Sequence, residues 1–270
     1  MKKLIAFLLV VLSLSNILTA CSKPATKDEK SAGTTEIVVF AAASMTETLE
    51  ALAESYQTAH PEIKLTYNFD SSGTLKTQIE EGAVCDLFIS AAQKQMNGLQ
   101  DGGYINTDTR LDLLENKVAL CVAENSKSGI KSYEEMKDHL EKGDILMAIG
   151  NEDVPVGQYT QKIFSYYGLD EKKLADSGVL TYGSNVKEVT TQIAEGAVDC
   201  GIIYQTDAYS AKLTVADTAA EEMCGQVVYP AAVLSAGQHT EKAKAFLDYL
   251  QTEEASKVFE AVGFTPLSLK

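Results

Sequence analysis

Arginine is almost missing from this chain of 270 residues: Arg110 is the single one, and the formal net charge is −15. A chain this acidic and this poor in guanidinium groups has no basic footprint with which to neutralise a phosphate backbone. Nucleic acid is therefore excluded as a partner class. Histidine is also sparse, with His60, His139 and His239 as the full set, each in a polar helical or loop context. No H-E-x-x-H, G-x-S-x-G or G-x-x-x-x-G-K occurs, so the metalloprotease, hydrolase and P-loop signatures are absent. Five cysteines form no C-x-x-C pair, and a structural zinc site is not expected. With no nucleophile–base pair, metal cluster or cofactor fingerprint in view, the expectation is a non-enzymatic protein without a cofactor.

What the chain does have begins at its N-terminus. Met1-Lys2-Lys3 is a short basic region, and Leu4 to Leu18 is apolar apart from Ser13, Ser15 and Asn16. The run is too short to span a bilayer and persist, so residues 1–20 read as a cleaved secretory signal. The following Leu18-Thr19-Ala20-Cys21 resembles the bacterial lipobox, which implies cleavage before Cys21 and lipid attachment to its thiol. Residues 21–35 are rich in Lys, Thr and Ser without an apolar period, as a flexible tether would be. An exported protein held at the outer face of the cell membrane is expected.

One phrase in the chain is written twice. Thr77-Gln78-Ile79-Glu80-Glu81-Gly82-Ala83-Val84-Cys85-Asp86 returns as Thr191-Gln192-Ile193-Ala194-Glu195-Gly196-Ala197-Val198-Asp199-Cys200, with seven identities in ten positions. Each copy ends a polar helix, turns at glycine and enters an apolar strand. Two similar half-domains facing one another across a ligand cleft are the simplest reading. Cys85 and Cys200 then fall at nearly equivalent places in different halves, unpaired with each other. An exported protein could hold a disulfide, for example Cys200 with Cys224, but buried single thiols are the default.

Roughly 235 residues follow the tether, enough for one large or two modest domains with a real core. Strand-length apolar runs (Ile37–Ala41, Asp86–Ser90, Val118–Val122, Ile145–Ile149, Gly201–Tyr204, Val227–Tyr229) alternate with segments of helical spacing such as Met45, Leu49, Leu52, Ala53 and Tyr56. Residues 241–262 fit two short helices. This alternation predicts an α/β fold with mostly parallel sheets, in which ligands sit beyond the carboxyl ends of the strands.

Four strand-to-helix turns share a chemistry. Ser44 lies three residues before Glu47 in capping-box spacing, and Asp70-Ser71-Ser72-Gly73-Thr74 opens the second helix. Val154-Pro155-Val156-Gly157 introduces a helix ending near Tyr167, and Asn185 with Glu188 repeats the capping-box spacing. The repeat offset places Ser71-Ser72 over Asn185-Val186. Helix N-termini offer unpaired N–H groups and about half a positive charge, which suits an anion, and serine hydroxyls add donors without charge.

In this order, Phe40-Ala41-Ala42-Ala43-Ser44, Ser71-Ser72-Gly73-Thr74-Leu75, Asp86-Leu87-Phe88-Ile89-Ser90-Ala91, Val154-Pro155-Val156-Gly157 and Gly201-Ile202-Ile203-Tyr204-Gln205-Thr206-Asp207-Ala208 resemble the molybdate-binding proteins. These are the type II periplasmic binding proteins that serve bacterial molybdate ABC importers, and the similarity runs from Ile37 to Pro266. The resemblance implies two α/β lobes joined by two crossover strands, with lobe I at 36–120 plus 230–270 and lobe II at 121–229. It implies a monomer that takes molybdate or tungstate at Ser44 and Ser72 (hydroxyl and amide), Val156 and Val186 (amide) and Tyr204 (phenol). The molybdenum would be held as its oxyanion with no direct side-chain ligand, and the partner would be a membrane permease. Sulfate, phosphate or another oxyanion are the alternative ligands, and a surface interaction lipoprotein is the remote alternative reading. Asp70 is the position that matters for the choice: a carboxylate turned inward would favour hydrogen phosphate, whereas one turned toward helix-end amides would not.

Overall fold

The computed structural model describes residues 33–123 and 126–270. The signal peptide expected over 1–20, the lipidated Cys21 and the tether as far as Ala32 lie outside the described residues. Eleven strands lie among the described residues: β1 (Thr35–Ala42), β2 (Ile63–Asp70), β3 (Leu87–Ile89), β4 (Leu111–Asn116), β5 (Val118–Val122), β6 (Met147–Gly150), β7 (Leu180–Gly183), β8 (Cys200–Tyr204), β9 (Thr214–Thr218), β10 (Val227–Val233) and β11 (Thr265–Pro266). The helices are α1 (Thr46–Ala59), α2 (Ser72–Glu80), α3 (Gln93–Asp101), α4 (Tyr133–Lys142), α5 (Pro155–Tyr167), α6 (Glu171–Asp176), α7 (Val186–Ala194), α8 (Gln205–Ala211), α9 (Glu221–Cys224), α10 (Thr240–Tyr249) and α11 (Glu253–Val262).

The strands form two sheets, in the orders β11-β4-β10-β3-β1-β2 and β7-β6-β8-β5-β9. The fold is α/β with two similar lobes, and the similarity is visible in the topology. In the first sheet β1 is flanked in parallel by β2 and β3; in the second, β6 is flanked in parallel by β7 and β8. Helices α1 and α2 connect the first trio, and α5 to α7 connect the second. The remaining pairings, those of β10, β4, β11, β5 and β9, are antiparallel, so both sheets are mixed rather than mostly parallel. Antiparallel strands enter because the chain crosses between lobes and returns, and each crossing runs against the parallel core.

The chain leaves the first sheet after Asn116 and returns to it at Val227. Strand β5 belongs wholly to the second sheet and β10 wholly to the first, a few residues from the changes placed at Leu120 and Tyr229 from sequence. Strand β1 shows why this centre is stable. Val39 and Ala41 enter one apolar cluster while Phe40 enters another on the opposite face, so the strand is buried on both sides.

The written repeat is also a structural one, with one adjustment. Gly82 and Gly196 both take positive φ, 92° and 68°, where only glycine is unstrained. Beyond them the register slips by one residue. Val38 N–H donates to Asp86 Oδ2 at 2.9 Å, and Leu146 N–H donates to Asp199 Oδ2 at 2.8 Å. Asp86 therefore corresponds to Asp199, and Cys85 is an extra residue of the first copy rather than the equivalent of Cys200. Cys85, Cys121, Cys200 and Cys224 are all buried and free, so no Cys200–Cys224 disulfide forms. No helix among the described residues is long and apolar enough to cross a membrane.

Candidate functional site

Parallel pairing in perfect register brings strand ends together. Ala42 pairs with Asp70, and Gly150 pairs with Gly183, so each trio ends at one level and its helices start side by side. The two sets of helix starts enclose a small cavity of about 10 Å³. That is far below the roughly 300–1,000 Å³ of ordinary small-molecule sites and leaves room for a very compact ligand at most. Ser44, Ser72, Val156, Val186 and Tyr204, the five residues expected at a ligand from sequence, all line it.

Each helix start has a local cause. Ser71 is the N-cap of α2, its hydroxyl accepting from Thr74 N–H at 3.1 Å. Asn185 caps α7 in the same way, accepting from Glu188 N–H at 3.1 Å. These caps satisfy the third N–H of each helix and leave those of Ser72 and Val186 without an intrahelical acceptor. Helix α5 has no side-chain cap; Pro155 occupies its first position, where a missing N–H costs nothing, and Val156 carries the first available donor.

The capping box expected at Ser44 and Glu47 does not form. Ser44 lies in a 3-10 turn, Ala43–Met45, and the N-cap of α1 is Met45 without a side-chain bond. The Ser44 hydroxyl instead meets the Tyr229 hydroxyl at 2.8 Å. A partner 185 positions away outcompetes the local amide because the extra 3-10 turn displaces Ser44 from the helix axis. Glu47 turns outward and pairs with Lys187 of α7 at 2.7 Å.

Ser72 accepts from Ala91 N–H through its hydroxyl at 2.9 Å, which leaves its own proton free to donate. Tyr204 is 1% exposed, and its hydroxyl has no hydrogen-bond partner among the described residues. A buried phenol without a partner costs about 1–3 kcal/mol, so this group marks a place where an acceptor is wanted. Burial, with Tyr229 and Tyr159 close by, pushes its pKa well above the ordinary value for tyrosine. It stays a donor throughout the physiological range.

No Lys, Arg or His lines the cavity, and Asp70 is its one charged residue. Asp70 Oδ1 accepts from Ser71 N–H at 2.7 Å and from Asn185 Nδ2 at 3.3 Å, so that oxygen is engaged by helix-start donors. Apart from the Asp70 carboxylate, the polar groups facing the cavity are backbone dipoles and neutral hydroxyls. Among the described residues no group of three or more His, Cys, Asp or Glu could hold a bare metal ion.

Contacts across the cleft hold the lobes together. Besides Asp70–Asn185 and Glu47–Lys187, Gly73 at the second position of α2 packs directly on the backbone of Asp153, at the turn before α5. Behind the cavity, Asp207 is fully buried with both oxygens lacking a hydrogen bond, and Lys187 Nζ lies 3.5 Å away. Burial is the main cause that raises the Asp207 pKa to about 7, with Lys187 opposing and Glu47 reinforcing. No sequence pattern marked Tyr229, Asn116 or Asp153 for this place, and Asp207 stood only inside a matched phrase without a role; each lies in or beside an apolar strand or a turn whose partners are distant in the chain.

A family model described as bacterial extracellular solute-binding protein matches residues 37–265, and the chain belongs to that family. A Bacillus subtilis (strain 168) protein provisionally named as an ABC transporter substrate-binding lipoprotein, YvgL, is 36% identical over 264 residues, 97% of this chain and 95% of its own. The molybdate-binding protein ModA of Escherichia coli (strain K12) is 33% identical over 235 residues, 85% of this chain and 89% of its own. A solved substrate-binding domain from Clostridium difficile, assigned to a molybdenum ABC transporter, is 32% identical with a TM-score of 0.63, covering 87% of this chain and 99% of that one. The periplasmic molybdate-binding protein of Azotobacter vinelandii, 22% identical with a TM-score of 0.74 over 85% and 98% of the two chains, shares the fold. That fold is the type II periplasmic binding protein architecture.

Proposed function

We propose that this protein is a lipid-anchored extracytoplasmic receptor that captures molybdate or tungstate and hands it to the permease of an ABC importer. The observation that carries the reading is the convergence of three helix N-termini, two serines and the unpartnered Tyr204 hydroxyl on one small cavity without a cationic side chain. A fully ionised tetrahedral oxyanion only accepts hydrogen bonds, and these groups only need to donate. The donors are assigned as the hydroxyls and amides of Ser44 and Ser72, the amides of Val156 and Val186, and the phenol of Tyr204. Roughly six bonds to a charged ligand, at about 1.5 kcal/mol each, amount to near 9 kcal/mol and a sub-micromolar affinity before closure costs.

Lobe I, the first sheet with its helices, supplies the serines, and lobe II supplies Val156, Val186 and Tyr204. Binding to one lobe and closure of the other completes the donor set, and the closed form is the state read by the permease. The lipobox at Cys21 supports anchoring, and the names of the similar ABC transporter and molybdate-binding proteins support the transport role. The protein performs no catalysis and works as a monomer. Hydrogen phosphate is the second reading, favoured by one observation: Asp70 lines the same cavity.

Isothermal titration of the soluble form beginning near Ser31 with molybdate, tungstate, sulfate and phosphate decides between them. One-to-one binding of molybdate and tungstate with sulfate and phosphate silent is the expected result. Preference for phosphate or sulfate would keep the fold and overturn the ligand; silence from all four would overturn the receptor reading.

A further inference from the structure

A group of buried polar side chains runs from the cavity-lining Ser44 into the interior beneath it. Ser44, Asn116, Thr206 and Tyr229 are 5%, 2%, 2% and 0% exposed, and they come from the turn after β1, the end of β4, the start of α8 and the middle of β10. Their hydrogen bonds have a direction that can be worked out. Lys117 N–H points at Asn116 Oδ1 at 2.8 Å, and a backbone N–H can only donate. The other end of the Asn116 amide is therefore Nδ2, which donates to Thr206 Oγ1 at 2.9 Å and to the Tyr229 hydroxyl at 3.2 Å. The Tyr229 oxygen, having accepted that bond, still carries its own proton. The acceptor within reach is Ser44 Oγ at 2.8 Å. Donation from Tyr229 to Ser44 completes such a chain and leaves the Ser44 proton for the cavity that Ser44 lines.

We propose that Asn116 and Tyr229 are positioning residues that set the polarity of the binding site by making the Ser44 hydroxyl a donor toward the ligand. This deepens the reading of the cavity as an oxyanion site and rests on it. With the chain running Asn116 to Tyr229 to Ser44, every group assigned to the ligand donates, and a fully ionised dianion is satisfied. Run the other way, Ser44 would spend its proton on Tyr229 and show the ligand a lone pair. That arrangement rejects molybdate and accepts the O–H of hydrogen phosphate. The selection between two dianions of equal charge would then reside in a buried amide that neither ligand touches.

The test compares molybdate with hydrogen phosphate by isothermal titration at pH 8, where both carry two negative charges, so that any change in overall field cancels in the ratio of their affinities. Tyr229→Phe removes the donor to Ser44 and frees its hydroxyl to rotate. Molybdate affinity should fall about tenfold, the worth of one oriented hydrogen bond, while the phosphate-to-molybdate ratio rises. Asn116→Asp replaces the amide donor with an acceptor of the same shape and reverses the chain. Molybdate affinity should fall further and the ratio should rise more than in Tyr229→Phe. Thermal melts of both variants check folding, and the isosteric Tyr229→Phe keeps the test alive if Asn116→Asp proves unstable. Equal losses for both anions, with an unchanged ratio, would show a structural role alone and overturn the proposal. Failure of the unaltered protein to bind molybdate would overturn the reading of the site itself, and this proposal with it.

Discussion

Gly73→Ala is expected to abolish closure while leaving the fold at least as stable. Gly73 sits at the second position of α2 in one lobe, and a Cβ there would overlap the carbonyl oxygen of Asp153 in the other, with the Asp153 carbonyl carbon only 3.0 Å away. Nonbonded carbon contacts are comfortable near 3.5–4.0 Å, so the lobes must part by about 1 Å to admit the methyl. A hydrogen bond of 2.9 Å stretched by that amount is no longer a bond. The ligand would keep its donors from Ser44 and Ser72 and lose up to three from the opposite lobe, at Val156, Val186 and Tyr204. At about 1.5 kcal/mol for a bond to a charged ligand, the loss is about 1.5–4.5 kcal/mol, or roughly ten- to a thousandfold in Kd. The ligand-free protein should not suffer, because alanine is the better helix former by up to about 1 kcal/mol. Titration calorimetry with molybdate gives the first quantity and a thermal melt without ligand gives the second. A Kd within about threefold of the unaltered protein would refute the argument that the cleft closes on the Gly73–Asp153 contact.

Three further outcomes follow from the same geometry. Tyr204→Phe removes a buried hydroxyl that lacks a partner, so the ligand-free melting temperature should rise while molybdate affinity falls by about 1–3 kcal/mol, read by melts with and without ligand. Asp207 has its pKa raised from 3.8 to about 7 by burial, so the native state holds an extra proton between those values; stability should fall as pH rises through that window and level off above it. In Asp207→Asn that slope should vanish and the protein should gain stability at pH 8, which a series of melts from pH 4 to 8 checks. Glu47→Gln breaks the pair with Lys187 at the rim of the cleft, where the side chains are 52% and 31% exposed. Such a pair contributes about 0.2–1 kcal/mol, so ligand affinity should drop by no more than about fivefold, and the difference should shrink in 1 M salt.

Some of the site was legible because its causes are local. Ser71 and Asn185 cap their helices through amides three residues away, and Pro155 starts α5 by its own fixed φ. A reader of the chain therefore finds three of the four helix starts, and the matching of two of them by the repeat shows that they face a common cleft. Ser44 misled in detail for the opposite reason. The spacing to Glu47 is that of a capping box, yet Tyr229 takes the hydroxyl from 185 residues away and Lys187 takes the carboxylate from 140. The repeat misled by one residue, since identity of letters does not reveal that Asp86 and Asp199 perform the same bracing of a neighbouring strand.

By itself the sequence determined that the chain is an α/β protein with a duplicated core, and it pointed to helix N-termini and neutral hydroxyls as the donors of a candidate site without a cationic side chain. Those properties follow from hydrophobic period, caps and composition, all of which act within a few residues. Tertiary structure alone decided which distant hydroxyl meets Ser44, how closely the lobes approach at Gly73, and that Asp207 is shut away from water beside Lys187. Each of these depends on atoms brought together from opposite ends of the chain. Hydrogen-bond direction, steric clearance and desolvation are set by that encounter and by nothing local.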